Sequence, residues 1–441
     1  MSERVEAAAG LSDAAAWLTQ VDALPAEVDA KARLLLLDTV GCLLAGLRHP
    51  DVRQLGQALR LAFPGDTAWP TSEITLGAGG LAALGAAAAC WDEACEGNSA
   101  AHGRPGLPVV PALLALSATH DVNLGDLLVA LVTGYEIGAR AGEAWRIPPG
   151  WHVDGSWHSL GVAAAVTRLS AGPHTIQAAI EAAACQIPAS LYLPIAAGSV
   201  LRNTYPAHAV LLGMLSASAA AAGFAMPRDA FEEARRRVLR ATAPASVTPA
   251  GEWTVLAGYL KPFAGVRHSH YGVEAALRLR ARHDIAPERI DAISLTTYPE
   301  AVQYCGNRAP RSAIQAQFSL SYAVAAALVL GDLGPNAYDD VADQRITRLE
   351  QRVAVTADPA RRQRGAELVI AIGGERLIET VNAVAGDPAL PMTRDQVVDK
   401  FRRYVTPALG ERDTQALIRF CLDGKPDQPA RMFYSWGLKG V

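Results

Sequence analysis

Few residues of this chain are charged, yet Asp92, Glu93, Glu96, His102 and Arg104 crowd into one short stretch, WDEACEGNSAAHGRPG at 91–106. Three further segments gather the same side-chain types. GWHVDGSWHSLG supplies His152, Asp154 and His158 where a glycine-containing loop enters a helix. LRNTYPAH sets Arg202, Tyr205 and His208 just before an alanine-rich run, and LKPFAGVRHSHYG contributes Lys261, Arg267, His268 and His270. Seven of the ten histidines fall in or just behind these segments: His102, His152, His158, His208, His268, His270 and His283. Taken singly, each has an ordinary packing or surface role as its competing reading. Taken together, fixed Arg and Lys cations beside titratable His and Asp make a pocket suited to binding carboxylates and moving protons.

Other chemistries find less support. No P-loop, no H-E-x-x-H and no G-x-S-x-G is present. GAGGLA at 77–82 fits a variant dinucleotide-binding fingerprint after a short EITL. No strand–helix–strand alternation surrounds it, however, and an alanine helix follows. The pairs His152/His158 and His268/His270 lack clustered carboxylate or thiol partners, so no metal and no other cofactor is expected.

Composition narrows the partner. Of 441 residues 19 % are charged and the formal net charge is −4. This is not the basic footprint that nucleic acid requires, and a small molecule is the expected ligand. The six cysteines lack paired spacing and read as reduced thiols of a cytoplasmic protein. The N-terminus has no basic start followed by an apolar core, so no signal peptide is expected. AVLLGMLSASAAAAGFAM at 209–226 is long enough to imitate a membrane span. Its Ala, Ser and Gly content instead predicts a tightly packed interior helix and no membrane role.

The elements that must position these side chains follow from the pattern. Long Ala/Leu-rich runs separated by Gly and Pro fill the first two thirds and predict a multi-layer helical domain. After about residue 286 the texture turns to Ile, Val and Thr, in RIDAISLTTYPEA and AELVIAIGGERLIETV, where Gly373-Gly374 signals a hairpin. The chain is helical again from Thr393, a candidate cap ahead of Val397, Val398, Phe401 and Val405 at helical spacing. The expected fold is mainly α with a smaller α+β domain. The helical domain spans 1–262 and is completed by 393–441, and the α+β unit spans 263–392.

Seven landmarks in order carry a resemblance: LLLLDTVGCLLAG, DEACEGNSAAHGRPGLPVVPALLAL, GYEIGARAGEAW, GWHVDGSWHSLGVAAAV, VLRNTYPAHAVLLGMLSASAAAAGF, KPFAGVRHSHYGVEAAL and AQFSLSYAVAAAL. Over essentially its whole length the chain resembles the MmgE/PrpD family of 2-methylcitrate dehydratases, cis-aconitate decarboxylases and iminodisuccinate epimerases. The resemblance implies a helical domain with an inserted α+β lid, a homodimer and no required metal. It implies catalytic roles for Asp92, His102, His152, Lys261 and Tyr322, and substrate contacts from Glu96, His158, Arg202, Arg267 and His270. Four departures stand out. Arg202 replaces a common Lys and should clamp a carboxylate, since Arg holds its proton. Val266 stands where some relatives carry a His or Cys, which weakens the decarboxylase reading. Glu96 and His158 replace a Thr or Asp and a small residue. The expected activity is a cofactor-independent lyase of the dehydratase type, in which His102, oriented by Asp92, moves a proton next to a carboxylate. An epimerase, a C–C lyase and a non-catalytic ligand-binding relative are the alternatives.

Overall fold

The computed structural model describes residues 10–437. The first nine residues, on which the signal-peptide expectation chiefly falls, lie outside them.

The first part of the chain is a stack of helices whose apolar faces meet through small residues. Ala26–Gly46, Ala78–Cys90, Gly106–Ser117, Leu124–Ala144 and His158–Ser170 are buried over most of their length. A Cβ on Gly134 would lie 2.7 Å from the Gly161 carbonyl oxygen, and only glycine lets these two helices approach so closely. Tyr205–Ala221 crosses the His158–Ser170 helix at Gly213, beside Val162. That helix differs from its expectation. One face packs inward, while Leu215 is 61 % exposed and Phe224, just beyond its end, 67 %. Its helical neighbours cover one side only. Among the described residues, no helix is long and apolar enough to cross a membrane. EITL forms no strand, only a bridge between Thr67 and Leu76.

Two buried ion pairs tie loops to this core. Glu136 and Arg140, one helical turn apart, pair with each other. Glu136 also accepts from Thr254 and Val255, and Arg140 donates to the carbonyls of Thr248, Pro249 and Glu252. The chain leading to Lys261 is thereby held in place. Lys400 bonds Asp38 at 2.6 Å and the Ala94 carbonyl at 2.7 Å, pinning the acidic loop from the C-terminal helix.

The α+β part holds a four-stranded sheet in the order Val353–Ala357, Ile290–Thr297, Ala366–Ile372, Glu375–Val381. The first pair is parallel and the others antiparallel. Gly373 and Gly374 both take positive φ, 58° and 85°, as a tight hairpin with the strands' own twist demands. Ala366, Leu368 and Ile370 alternate onto the buried face, against the His270–His283 helix. Arg394–Leu409 starts with the capping box of Thr393 and Gln396. It sets Phe401 against Gly41 of the Ala26–Gly46 helix, so the C-terminal helices pack on the first part of the chain.

Candidate active site

Two minimal strand pairs bring the chemistry-bearing loops together. Gly97–Asn98 pairs with Gly258–Tyr259, and Trp151–His152 pairs with Ser190–Leu191. Gly97 must be glycine, because a Cβ there would stand 2.4 Å from the Tyr259 hydroxyl and ring. Asn98 and Gly103 exchange backbone hydrogen bonds, and the Asn98 side chain accepts from Ala100 and Ala101 inside that loop. The closure leaves His102 at φ 53°, and Glu93 has the same φ. Left-handed backbone on two non-glycine residues of one loop is strain of about 1–3 kcal/mol each, the kind that tightly determined functional loops retain. These loops and the α+β part enclose a cavity of about 290 Å³.

Its floor is a charge cluster. Glu93 bonds Arg202 at 2.6 Å and Arg104 at 2.7 Å, and Lys261 approaches it at 3.5 Å while donating to the Glu93 carbonyl at 2.7 Å. Asp154 bonds Arg104 and, at 3.2 Å, Arg202. Burial opposes ionisation of Glu93, but Arg104, Arg202 and Lys261 outweigh it and bring its pKa down to about 2. Burial likewise opposes ionisation of Asp154, and Arg104 and Arg202 again prevail, so its pKa is lowered. The Cys90 thiol and the two carboxylates have the mutual spacing of metal ligands. All three already face the guanidinium groups of Arg104 and Arg202, so the protein's own cations fill the place a metal would take.

The imidazoles around the cavity differ in freedom. Nδ1 of His152 accepts the Asp154 backbone N–H at 3.0 Å, and its Nε2 faces the Arg202 Nε–H at 3.5 Å, so both ring nitrogens are turned toward protein donors. Burial, then Arg202 and Arg104 against the carboxylates of Asp154 and Glu93, lowers its pKa to about 4. His268 is tied through Nδ1 to the Tyr298 hydroxyl at 2.5 Å, and burial, Arg364, Lys261 and Arg267 lower it to about 3. His102 stands at the exposed mouth, and no hydrogen bond fixes its ring among the described residues. Loss of water on its cavity side, then Arg146 and Arg364, lowers its pKa to about 4. It is an unprotonated imidazole with both nitrogens available.

Residues 13–247 match the model of the MmgE/PrpD N-terminal domain, and residues 263–423 match that of the MmgE/PrpD C-terminal domain. The chain belongs to the MmgE/PrpD family. A cis-aconitate decarboxylase-like protein of Aspergillus oryzae is 25 % identical over 447 residues, covering 91 % of each chain. The family is of the lyase type, and Lys261 lies in the short join between the two domain models.

In this MmgE/PrpD chain the cavity takes five of the ten residues to which the resemblance gives catalytic or substrate roles: His102, His152, Arg202, Lys261 and Arg267. The other five lie off it. Asp92 does not touch His102, so the expected pairing of the two is corrected. Its carboxylate accepts from His49 at 3.2 Å with Arg48 at 3.9 Å, because the left-handed turn at Glu93 sends the neighbouring side chains apart. Glu96 caps the Gly106–Ser117 helix, accepting from Gly106 at 2.8 Å and Leu107 at 3.1 Å. Burial, against those bonds and Arg104, raises its pKa to about 8. His158 stacks on Trp157 at 3.8 Å, with Asp154 the nearest charge at 3.8 Å. His270 is wholly buried between Arg267 and the Gly265 carbonyl, and Tyr322 bonds the Ala337 carbonyl at 3.2 Å. Sequence reasoning assigned no role to Glu93, Arg104 or Asp154, and it did not name Arg146 or Arg364 at all. The one signal for Glu93 was its adjacency to Asp92.

Proposed function

We propose that this chain is a cofactor-independent lyase that takes a proton from the carbon next to a carboxylate and expels a β-hydroxyl as water, acting on a hydroxylated di- or tricarboxylate. One observation carries the reading: a cavity with Arg104, Arg202 and Lys261 on its floor has an unprotonated, unbonded imidazole, His102, at its mouth between Arg146 and Arg364. Breaking the C–H bond builds enolate charge on the adjacent carboxylate, and fixed cations in a partly dry site stabilise that charge. His102 takes the proton and then, as imidazolium, gives it to the departing hydroxyl, which leaves as water, so that no separate acid is needed. Substrate carboxylates beside Arg146 and Arg364 offset the charges that depress His102, so the imidazole becomes more basic when the substrate is bound. His152, with Nδ1 accepting from Asp154 and Nε2 facing Arg202, positions the Arg202 guanidinium for the substrate and does not accept the proton itself.

A second reading, C–C cleavage with loss of carbon dioxide, is favoured by the named relative and uses the same cations. The homodimer and the cytoplasmic setting belong to this proposal as well. Proton NMR in D₂O with 2-methylcitrate, citrate and cis-aconitate supplied separately tests it. A new vinyl signal with retained carbon count supports dehydration, and a vinyl product one carbon shorter moves the assignment to decarboxylation. Deuterium uptake with no vinyl signal overturns both in favour of an epimerase.

A further inference from the structure

The cavity's remaining wall consists of aromatic rings in mutual contact. Tyr192 lies with its ring 6.0 Å from His152, 6.5 Å from Tyr304 and 6.4 Å, edge-on, from Phe318. Tyr304 in turn stacks on His268 at 6.2 Å. Tyr192 comes from the helical part and the other members from the α+β part, except His152, and the Tyr192 hydroxyl locks the wall by donating to the Tyr304 carbonyl at 3.0 Å. Val266, Ile147 and Trp151 extend apolar surface around the same space. The wall does not end inside, since Tyr304 is 46 % exposed and carries the aromatic surface from the cavity to solvent.

A carboxylate seated against Phe318, Val266, Ile147 and the Tyr192 ring, whose hydroxyl is already given to the Tyr304 carbonyl, would lose its water and gain no donor from those side chains. An acid with charged groups on every side therefore leaves this half of the cavity without a partner. We infer that the substrate is a polycarboxylic acid bearing an apolar substituent larger than methyl, its carboxylates toward Lys261, Arg146 and Arg364 and its substituent along Tyr192, Phe318 and Tyr304. This rests on the proposed carboxylate chemistry of the same site.

The test is calorimetric binding of succinate, tricarballylate and 2-alkylsuccinates from ethyl to hexyl to the full chain, with n-alkylamines of equal length as controls. Affinity should tighten about fourfold per methylene, which is the ~0.8 kcal/mol of one buried CH₂. The amines should not bind. Tyr192→Ser and Tyr304→Ser, the second at a half-exposed position that folding tolerates, should flatten the chain-length dependence. If succinate binds and lengthening the chain has no effect or weakens binding, the inference is overturned while the carboxylate site stands. Equal binding of the amines also overturns it, since the cations would then have no part in recognition. If no acid of any length binds, the carboxylate reading fails and takes this inference with it.

Discussion

Replacing Glu93 by Gln removes one charge from a cluster whose other members stay buried. Glu93 ionises at about pH 2 in the folded chain against an ordinary value of 4.5. A folded-state pKa below the unfolded one means that the ionised carboxylate stabilises the fold. The contribution is fully present above pH 4.5 and is lost as pH falls toward 2. Two and a half pH units correspond to about 3 kcal/mol at pH 7 by proton linkage. The same linkage leaves a smaller contribution, about 2 kcal/mol, at pH 3.5. Urea unfolding of the wild type and Glu93→Gln at pH 7, 5 and 3.5 should therefore show a gap of about 3 kcal/mol at the two higher values that narrows at the lowest. The shift should appear as a change of midpoint at constant slope. Equal midpoints at pH 7 would mean that Arg104, Arg202 and Lys261 do not hold Glu93, and a gap that widens in acid would reverse the sign of the argument. Either result would dismantle the charge cluster on which the mechanism stands.

His102→Asn should lower kcat by 10²–10⁴-fold with unchanged thermal stability, because the ring is exposed and unbonded. The pH profile of kcat/KM should rise through about 4 and then stay level, and Arg146→Gln should move that limb upward, since removing a neighbouring cation lets His102 return toward 6.5. Glu96 has the opposite linkage. Its folded pKa of about 8 exceeds 4.5, so the folded chain binds the extra proton and wild-type stability should fall as pH rises from 4.5 through 8. Glu96→Gln, whose amide oxygen still accepts from Gly106 and Leu107, should lose less stability over that window in urea titrations. Lys400→Met strands the buried Asp38 carboxylate and the Ala94 carbonyl. It should cost about 3–5 kcal/mol in denaturant unfolding, and a cost below 1 kcal/mol would show that the pair does not anchor the acidic loop.

Periodicity and turn chemistry made the elements legible. The Gly373-Gly374 hairpin, the Thr393 cap and the helical stack each follow from a local rule that needs only neighbouring residues. Site membership depends on backbone conformation, and there the sequence is silent. Asp92 and Glu93 are adjacent carboxylates of nearly equal propensity. A φ of 53° at the second decides which faces the cavity, and that angle depends on Lys400, Gly265 and Asn98, all distant or across the loop. Glu96 was misread for a related reason, because a carboxylate in a polar motif resembles a substrate contact until the helix starting at Gly106 is seen to lack any other cap. Arg146 and Arg364 sit in no motif and reach His102 only through the tertiary fold.

The floor carries two carboxylates among three cations, and this arrangement bears on how an anion is recognised here. Burying Arg104, Arg202 and Lys261 with no counterion would cost several kcal/mol per charge, more than a marginally stable fold tolerates. Glu93 and Asp154 make the cluster foldable and leave it one charge positive, since three cations meet two anions. A single positive charge cannot by itself match a di- or tricarboxylate. The remainder must come from Arg146 and Arg364, which line the cavity near His102 and have no ion pair among the described residues. After burial, the same two arginines are what depress His102. On the proposed mechanism, a substrate carboxylate between them removes that part of the depression, and an acid too short to reach the mouth should bind the floor without raising the basicity of His102.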